Sequence, residues 1–364
     1  MYELLNRNTF FICNTKRLGI NPNLNTNILI RIKDYIKTIL HLYTNRTFRP
    51  NWDKLSNHTV EKLVRNYYKN DVVTVLKEIS SYSQQIFFIS VKNNSNIQYF
   101  YLKCYCSHAS WWTANSDNLF ERDLSAMEIL KHSNGLIPEL IASGTKKNMP
   151  WILTRAIDGS PIDVSTPKLN SKKLATLVYN LQNTKIQNKL SKKLTRFDVN
   201  YVENEFTKIA KHCNIDLFFV EELITIIKKF SKTSSLVFSH GDLHTGNMIL
   251  KPNNELAIID FEDAIITYPQ FDVHMLGSDL KACYGIKFYD EFLNHYYELL
   301  GYRFDNQFLE DANNFVKLRN TIMGIFLIRG GYSHKLPQYG AFIRNEKEAR
   351  KDLTKYMAEK NRLF

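Results

Sequence analysis

Between Ser239 and Ala264 a loop rich in polar side chains runs into two short apolar segments. Asn247 to Leu250 and Leu256 to Asp260 both have the make-up of strands, and Lys251-Pro252-Asn253-Asn254 between them is turn-forming. The sequence therefore predicts a hairpin with Asn247 at its entry and Asp260 at its exit, close in space, and Asp242 on the loop before it. Phosphoryl transfer requires that set. One carboxylate orients an attacking hydroxyl and takes its proton, while an amide oxygen and a second carboxylate hold magnesium against nucleotide phosphates. The step from Asp242 to Asn247 matches the spacing of the kinase catalytic loop. Such oxygen donors suit a hard cation. His240 and His244 have the i, i+4 spacing of zinc ligands on a helix, but Gly241 between them disfavours the helix.

The remainder of the chain divides by pattern. Residues 1–69 read as a helical extension: Leu29, Ile32, Ile36, Ile39 and Leu40 share one stripe, and a second helix is predicted from Val60 to Tyr68 with Thr59 as its cap. From Val72 the pattern turns strand-like, in runs Val72–Leu76, Gln85–Val91 and Tyr99–Cys104 separated by turn-rich segments. A helix from Asp117 to His132 follows, then short strands Leu136–Ala142 and Trp151–Thr154 with Gly144 in the turn between them. Five antiparallel strands and one inserted helix make a small lobe over residues 70–158. Residues 159–364 are mainly helical, with Leu174, Leu177, Val178 and Leu181 on one face. The class is α+β.

Composition narrows the partners. At 364 residues with 44% hydrophobic and 23% charged content, the chain is neither disordered nor fibrous. No apolar run approaches the roughly 18–20 residues that cross a bilayer, and the N-terminus lacks a charged start followed by an apolar stretch. Five cysteines without a second close pair read as reduced core residues of a cytoplasmic protein. A formal charge of +12 permits attraction to nucleic acid, yet the lysines are scattered among Asn, Ile and Tyr, so no nucleic-acid partner is expected.

The ordered stretch His240-Gly241-Asp242-Leu243-His244-Thr245-Gly246-Asn247, followed by Ile259-Asp260-Phe261-Glu262-Asp263-Ala264, resembles the signature of the aminoglycoside phosphotransferase and choline kinase-like family. Tyr268-Pro269-Gln270-Phe271-Asp272 is similar to a further family segment, without its leading Gly-Asp. The likeness covers roughly residues 70–330 and is strongest at 238–275. It implies a protein-kinase-like two-lobe fold and small-molecule kinase activity, with ATP or GTP as co-substrate and Mg2+ as cofactor. Position by position it makes Asp242 the catalytic base and Asn247 and Asp260 the metal ligands. His240 would support the loop and Asp272 would brace it.

The nucleotide is expected between the lobes. Lys103, set among Tyr99, Phe100, Tyr101 and Leu102, needs a partner for its charge and is the candidate for pairing with phosphates. Of the acids on the following helix, Asp123 shares the apolar face with Phe120, Met127 and Leu130, whereas Glu121 falls on the polar face. Asp123 is therefore the expected partner, although the family normally has Glu. The loop Ser80–Gln84 has no glycine, so the Ser81 and Ser83 hydroxyls and backbone amides would cover the phosphates. Leu153–Gly159 resembles the inter-lobe hinge, with the backbone groups of Arg155 and Ile157 reading the adenine edge. Gln182 stands where the family often has His, and Glu262 and Asp263 are placed outside the site. Acids and bases are evenly mixed after Ile265, and with the overall positive charge this favours a neutral or anionic small hydroxyl compound over a polycationic aminoglycoside. The alternatives are a protein kinase of the same fold and a non-catalytic basic binding protein.

Overall fold

The computed structural model describes residues 54–80, 84–93, 96–105, 119–133, 135–146, 149–162, 169–186, 188–329 and 345–361. The helix read at 27–40 and the Ser81 and Ser83 loop lie outside them. Helix α1, Asn57–Arg65, begins at Ser56, whose hydroxyl accepts the Thr59 N–H at 3.3 Å. The cap is thus three residues earlier than the sequence suggests, because Thr59 already sits inside the first turn. Strands β1 (Val72–Ser80), β2 (Gln84–Asn93) and β3 (Asn96–Tyr105) form a meander. Helix α2 (Leu119–Leu130) precedes β4 (Leu140–Lys146) and β5 (Met149–Arg155). The five strands make one antiparallel sheet in the order β1-β2-β3-β5-β4. Gly144 lies inside β4, paired with Trp151, and not in the turn, which begins only after Lys146.

Alternation divides the sheet. Phe100, Leu102 and Cys104 of β3 point into a core shared with Phe87, Ile89 and Leu153, and α1 closes that core with Val60 and Leu63. The buried amide of Gln85 fastens the segment before α1 by accepting the Leu55 N–H and donating to the Leu55 carbonyl, both at 3.0 Å. The opposite face carries Tyr99, Tyr101, Lys103 and Tyr105, and α2 packs on its Tyr105 end through Leu119 and Met127.

After β5 the chain crosses to the larger, mostly helical part through Gly159 and β6 (Ser160–Pro161). A Cβ on Gly159 would meet the Leu250 carbonyl oxygen at 2.5 Å, and φ there is +153°, so only glycine lets the crossing lie against the hairpin. Helices α3 (Ser171–Gln182), α4 (Phe218–Thr233), α5 (Gln270–Tyr284), α6 (Ile286–Leu300), α7 (Phe308–Arg329) and α8 (Glu346–Asn361) surround one core. Leu174, Leu177, Val178 and Leu181 supply the buried face of α3, as their spacing predicts. Gln182 is buried and satisfied at both ends, donating to the Pro269 carbonyl and accepting from the Tyr296 hydroxyl at 2.6 Å.

Three short strand pairs organise the centre of this part. β7 (Val237–Ser239) pairs with β10 (Ile265–Thr267), and β8 (Met248–Leu250) pairs with β9 (Leu256–Ile258) and β6. Among the described residues no helix is long and apolar enough to cross a membrane. Cys104 and Cys213 are buried free thiols, as read from the sequence. Cys283 is disulfide-bonded, so the expectation of uniformly reduced cysteines fails there and the cysteines no longer argue for a cytoplasmic protein.

Candidate active site

The hairpin forms as its sequence predicts. The Ile259 N–H donates to the Asn247 carbonyl at 3.0 Å, one step beyond the Met248–Ile258 pair, and this extension sets Asn247 beside the strand that leads directly to Asp260. Asp260 itself has φ +69°, a left-handed conformation uncommon for a residue with a side chain. The backbone turns sharply there into the short helical turn Phe261–Asp263.

The loop between β7 and β8 is tied down at many points. Asp272, fully buried near the start of α5, accepts the His240 N–H at 2.9 Å and the Gly241 N–H at 3.1 Å. Burial lifts the Asp272 carboxyl above the usual carboxylate range, while these N–H groups pull it back. Gly241, at φ +79°, turns the chain where a side chain would be strained. The His240 ring lies 2.9 Å from the Ile259 carbonyl through Nε2 and accepts the Asp242 N–H through Nδ1, so the proton is assigned to Nε2. His240 therefore bridges the loop and the hairpin. Asn247 donates its amide N–H to the Asp242 carbonyl at 2.9 Å, a bond that does not engage its Oδ1. The His244 Nδ1 accepts the Gly246 N–H at 3.0 Å, and its Nε2 lies 3.5 Å from an Asp242 carboxylate oxygen.

Across the cleft, Lys103 meets three carboxylates. Its ammonium pairs with Asp123 at 2.9 Å, with Glu262 at 3.3 Å and, in a shorter contact, with Asp260. Asp123 is the helix acid in contact, whereas Glu121 faces outward and pairs with Lys193. Burial alone would depress the Lys103 pKa, but Asp123, Asp260, Tyr105 and Glu262 outweigh it and hold the ammonium well above its ordinary range. The Tyr105 hydroxyl donates to Asp123 at 2.5 Å. Burial raises the Glu262 carboxyl well above the usual range; Lys103 opposes this, and Asp260, Asp263 and Asp123 add to it.

Glu262 and Tyr105 were not among the residues expected at the site. The signal for Tyr105 is present in the sequence, since it lies two residues after Lys103 on the same strand face. Glu262 gives no such signal, because its direction depends on the left-handed turn at Asp260. Arg155 is only partly available: its N–H donates to the Glu139 carbonyl at 2.9 Å, and its guanidinium binds Glu139 and Gln98. The N–H of Ile157 has no partner among the described residues.

Three carboxylates around one ammonium leave negative charge in excess. Among the described residues no three His, Cys, Asp or Glu side chains form a metal cage. Asp260 and Asn247 would instead be the one or two protein oxygens that suit magnesium when substrate phosphates and water complete its shell. The donor set fits that ion.

Residues 113–306 match the family model described as "Phosphotransferase enzyme family". The match begins after Lys103, so the place of that lysine rests on the geometry. No curated protein matches the chain. Among solved structures it is similar to an ethanolamine kinase of Plasmodium vivax, at 16% identity and a TM-score of 0.57, covering 93% of this chain and 95% of that one. A macrolide 2'-phosphotransferase from Brachybacterium faecium aligns at 12% identity and a TM-score of 0.55, over 78% of this chain and 96% of that one. A choline kinase from Streptococcus pneumoniae aligns at 15% identity and a TM-score of 0.51, over 82% and 99%. At these identities the structures show a shared protein-kinase-like fold. The family match spans more than half the chain and contains the whole loop and hairpin, and on that ground the chain belongs to the phosphotransferase enzyme family.

Proposed function

We propose that this phosphotransferase moves the γ-phosphoryl group of magnesium-bound ATP or GTP to a hydroxyl of a small neutral or anionic molecule. The observation that carries the reading is the convergence of Lys103, Asp260, Asn247 and Asp242 around one cleft. Asp242 is the base: it accepts the acceptor's hydroxyl proton as the oxygen attacks phosphorus, while the bond to the leaving nucleoside diphosphate breaks. Asn247 and Asp260 would hold the metal, which would supply charge neutralisation to the transferred and leaving phosphates. Lys103, oriented by Asp123, pairs with the non-transferred phosphates. Tyr101, on the same strand face and 41% exposed, offers the base a ring to stack on, and the Arg155 carbonyl with the Ile157 N–H offers it an edge. Residues 70–158 thus carry the nucleotide and 159–364 the acceptor.

The two buried carboxylates nearest the loop, Asp272 and Asp279, accept hydrogen bonds from the loop itself. That commitment, with the net positive charge, supports a neutral or anionic acceptor. Choline, ethanolamine, spectinomycin, a macrolide and a panel of sugars and peptides, each with γ-labelled ATP and magnesium, test this by mass gain of one phosphate. Phosphate gain on a neutral or anionic member, lost by about 10²–10⁴ in kcat in Asp242→Ala, is the expected result. Exclusive transfer to the cationic alcohols overturns the acceptor class, and an Asp242→Ala enzyme of undiminished kcat overturns the base. Transfer to a protein serine instead of any small molecule selects the protein-kinase alternative.

A further inference from the structure

Helix α5 reaches the loop twice. Asp272 holds its first residues, and Asp279, two turns further along the same helix, holds its last. The Asp279 carboxylate accepts the Thr245 N–H at 2.8 Å, and the same oxygen accepts the Thr245 hydroxyl in a shorter bond. Both residues are buried, Thr245 at 4% and Asp279 at 5% exposure. Thr245 opens the short turn that ends at Asn247, and the Asn247 N–H closes back on the His244 carbonyl at 3.0 Å.

We infer that Asp279 is a positioning residue of the phosphoryl-transfer site, acting through Thr245 to fix the orientation of Asn247. This rests on the reading of Asn247 as a metal–nucleotide ligand. Four attachments orient Asn247: its N–H to His244, its carbonyl to Ile259, its side-chain amide to Asp242, and the Thr245 clamp. The first and third tie the loop to itself, and the second ties it to the hairpin. Among the described residues the clamp is the hydrogen bond that fastens this turn to the helical core. Two bonds from the backbone and the side chain of one residue to a single carboxylate oxygen fix its rotation as well as its position, so the turn has no freedom to roll about the chain axis. Bonds to an ionised acceptor are the stronger class, and a buried donor deprived of its acceptor is driven to rearrange. Without Asp279 the turn relaxes towards water, and the Asn247 oxygen loses its fixed orientation relative to the hairpin.

Calorimetry of a non-hydrolysable ATP analogue, with and without magnesium, tests the inference on Asp279→Ala, Asp279→Asn and Thr245→Val. Amide exchange across residues 242–250 in the metal-free, nucleotide-free protein is measured beside it. Magnesium should tighten analogue binding to the wild type. Asp279→Ala should lose about tenfold of that gain, the scale of one charge-assisted hydrogen bond, while its metal-free affinity stays unchanged. Its amides at Thr245–Asn247 should exchange about tenfold faster. Asp279→Asn keeps an acceptor for Thr245 and should restore most of the gain. Thr245→Val should lose part of it and add nothing further in the Asp279→Ala background. A full magnesium gain in Asp279→Ala overturns the inference, as does equal weakening with and without the metal. If Asp279→Ala does not fold, Thr245→Val decides by the same comparison. A wild type whose binding ignores magnesium overturns the Asn247 reading itself and the inference with it, a result distinct from a variant that retains the gain.

Discussion

Lys103 is the residue on which both halves of the cleft converge, and its surroundings set what its loss does. Its side chain is 14% exposed, and its ammonium faces Asp123, which is 1% exposed at the side chain. Lys103→Met would leave that carboxylate buried without its counter-ion, an arrangement that typically destabilises by about 3–5 kcal/mol. Denaturant unfolding of Lys103→Met should show a loss on that scale, whereas Lys103→Met combined with Asp123→Leu should recover most of it. The sign of the pH dependence follows from the raised Lys103 pKa. Its stabilisation is complete below the ordinary lysine value and fades only as pH rises through the higher folded one. Between pH 6 and 9, roughly, the ion pair should therefore contribute no slope to the unfolding free energy. The lysine and its helix partner were legible in the sequence, since an ammonium among apolar neighbours needs a partner and helical phase favours Asp123 over Glu121. The clamp of Thr245 by Asp279 was not. The two lie 34 positions apart, and nothing in the local pattern marks an aspartate inside a largely buried helix as pointing at a loop.

At the scale of elements, the strands of the sheet and the hairpin follow from short-range pattern. Their alternation and turn residues are local, and so is the chemistry that specifies them. The misplacements have local causes as well. Gly144 carries a turn signal, but it lies in β4 because its missing side chain accommodates the Trp151 ring, which a Cβ would meet at 2.8 Å. Gly159 is the opposite case, a glycine demanded by backbone. Gly159→Ala should destabilise by about 1–3 kcal/mol, because the clash is with the Leu250 carbonyl and the conformation is one that side chains rarely adopt. Thermal unfolding compared with Gly144→Ala checks the distinction: at Gly144 the neighbour is a side chain that can shift, so the smaller loss belongs there.

On the scale of the whole molecule, the small sheet supplies a lysine and the helical part supplies the oxygens that face it, so a nucleotide bound between them joins the two. Magnesium-bound ATP at 100 times its dissociation constant should stabilise the fold by about 2.7 kcal/mol. Asp260→Asn should lower that thermal shift towards the one given by ATP without metal; an unchanged difference between the two would remove Asp260 from the metal. The Asn247 carbonyl is held by the N–H of Ile259, the residue before Asp260, whereas Lys103 reaches Asp260 by side chains alone. Any breathing of the interlobe gap therefore leaves the hairpin bond intact and stretches the ammonium contact. The enzyme thus presents incoming phosphates with a hairpin held by backbone and an ammonium held by side chains alone.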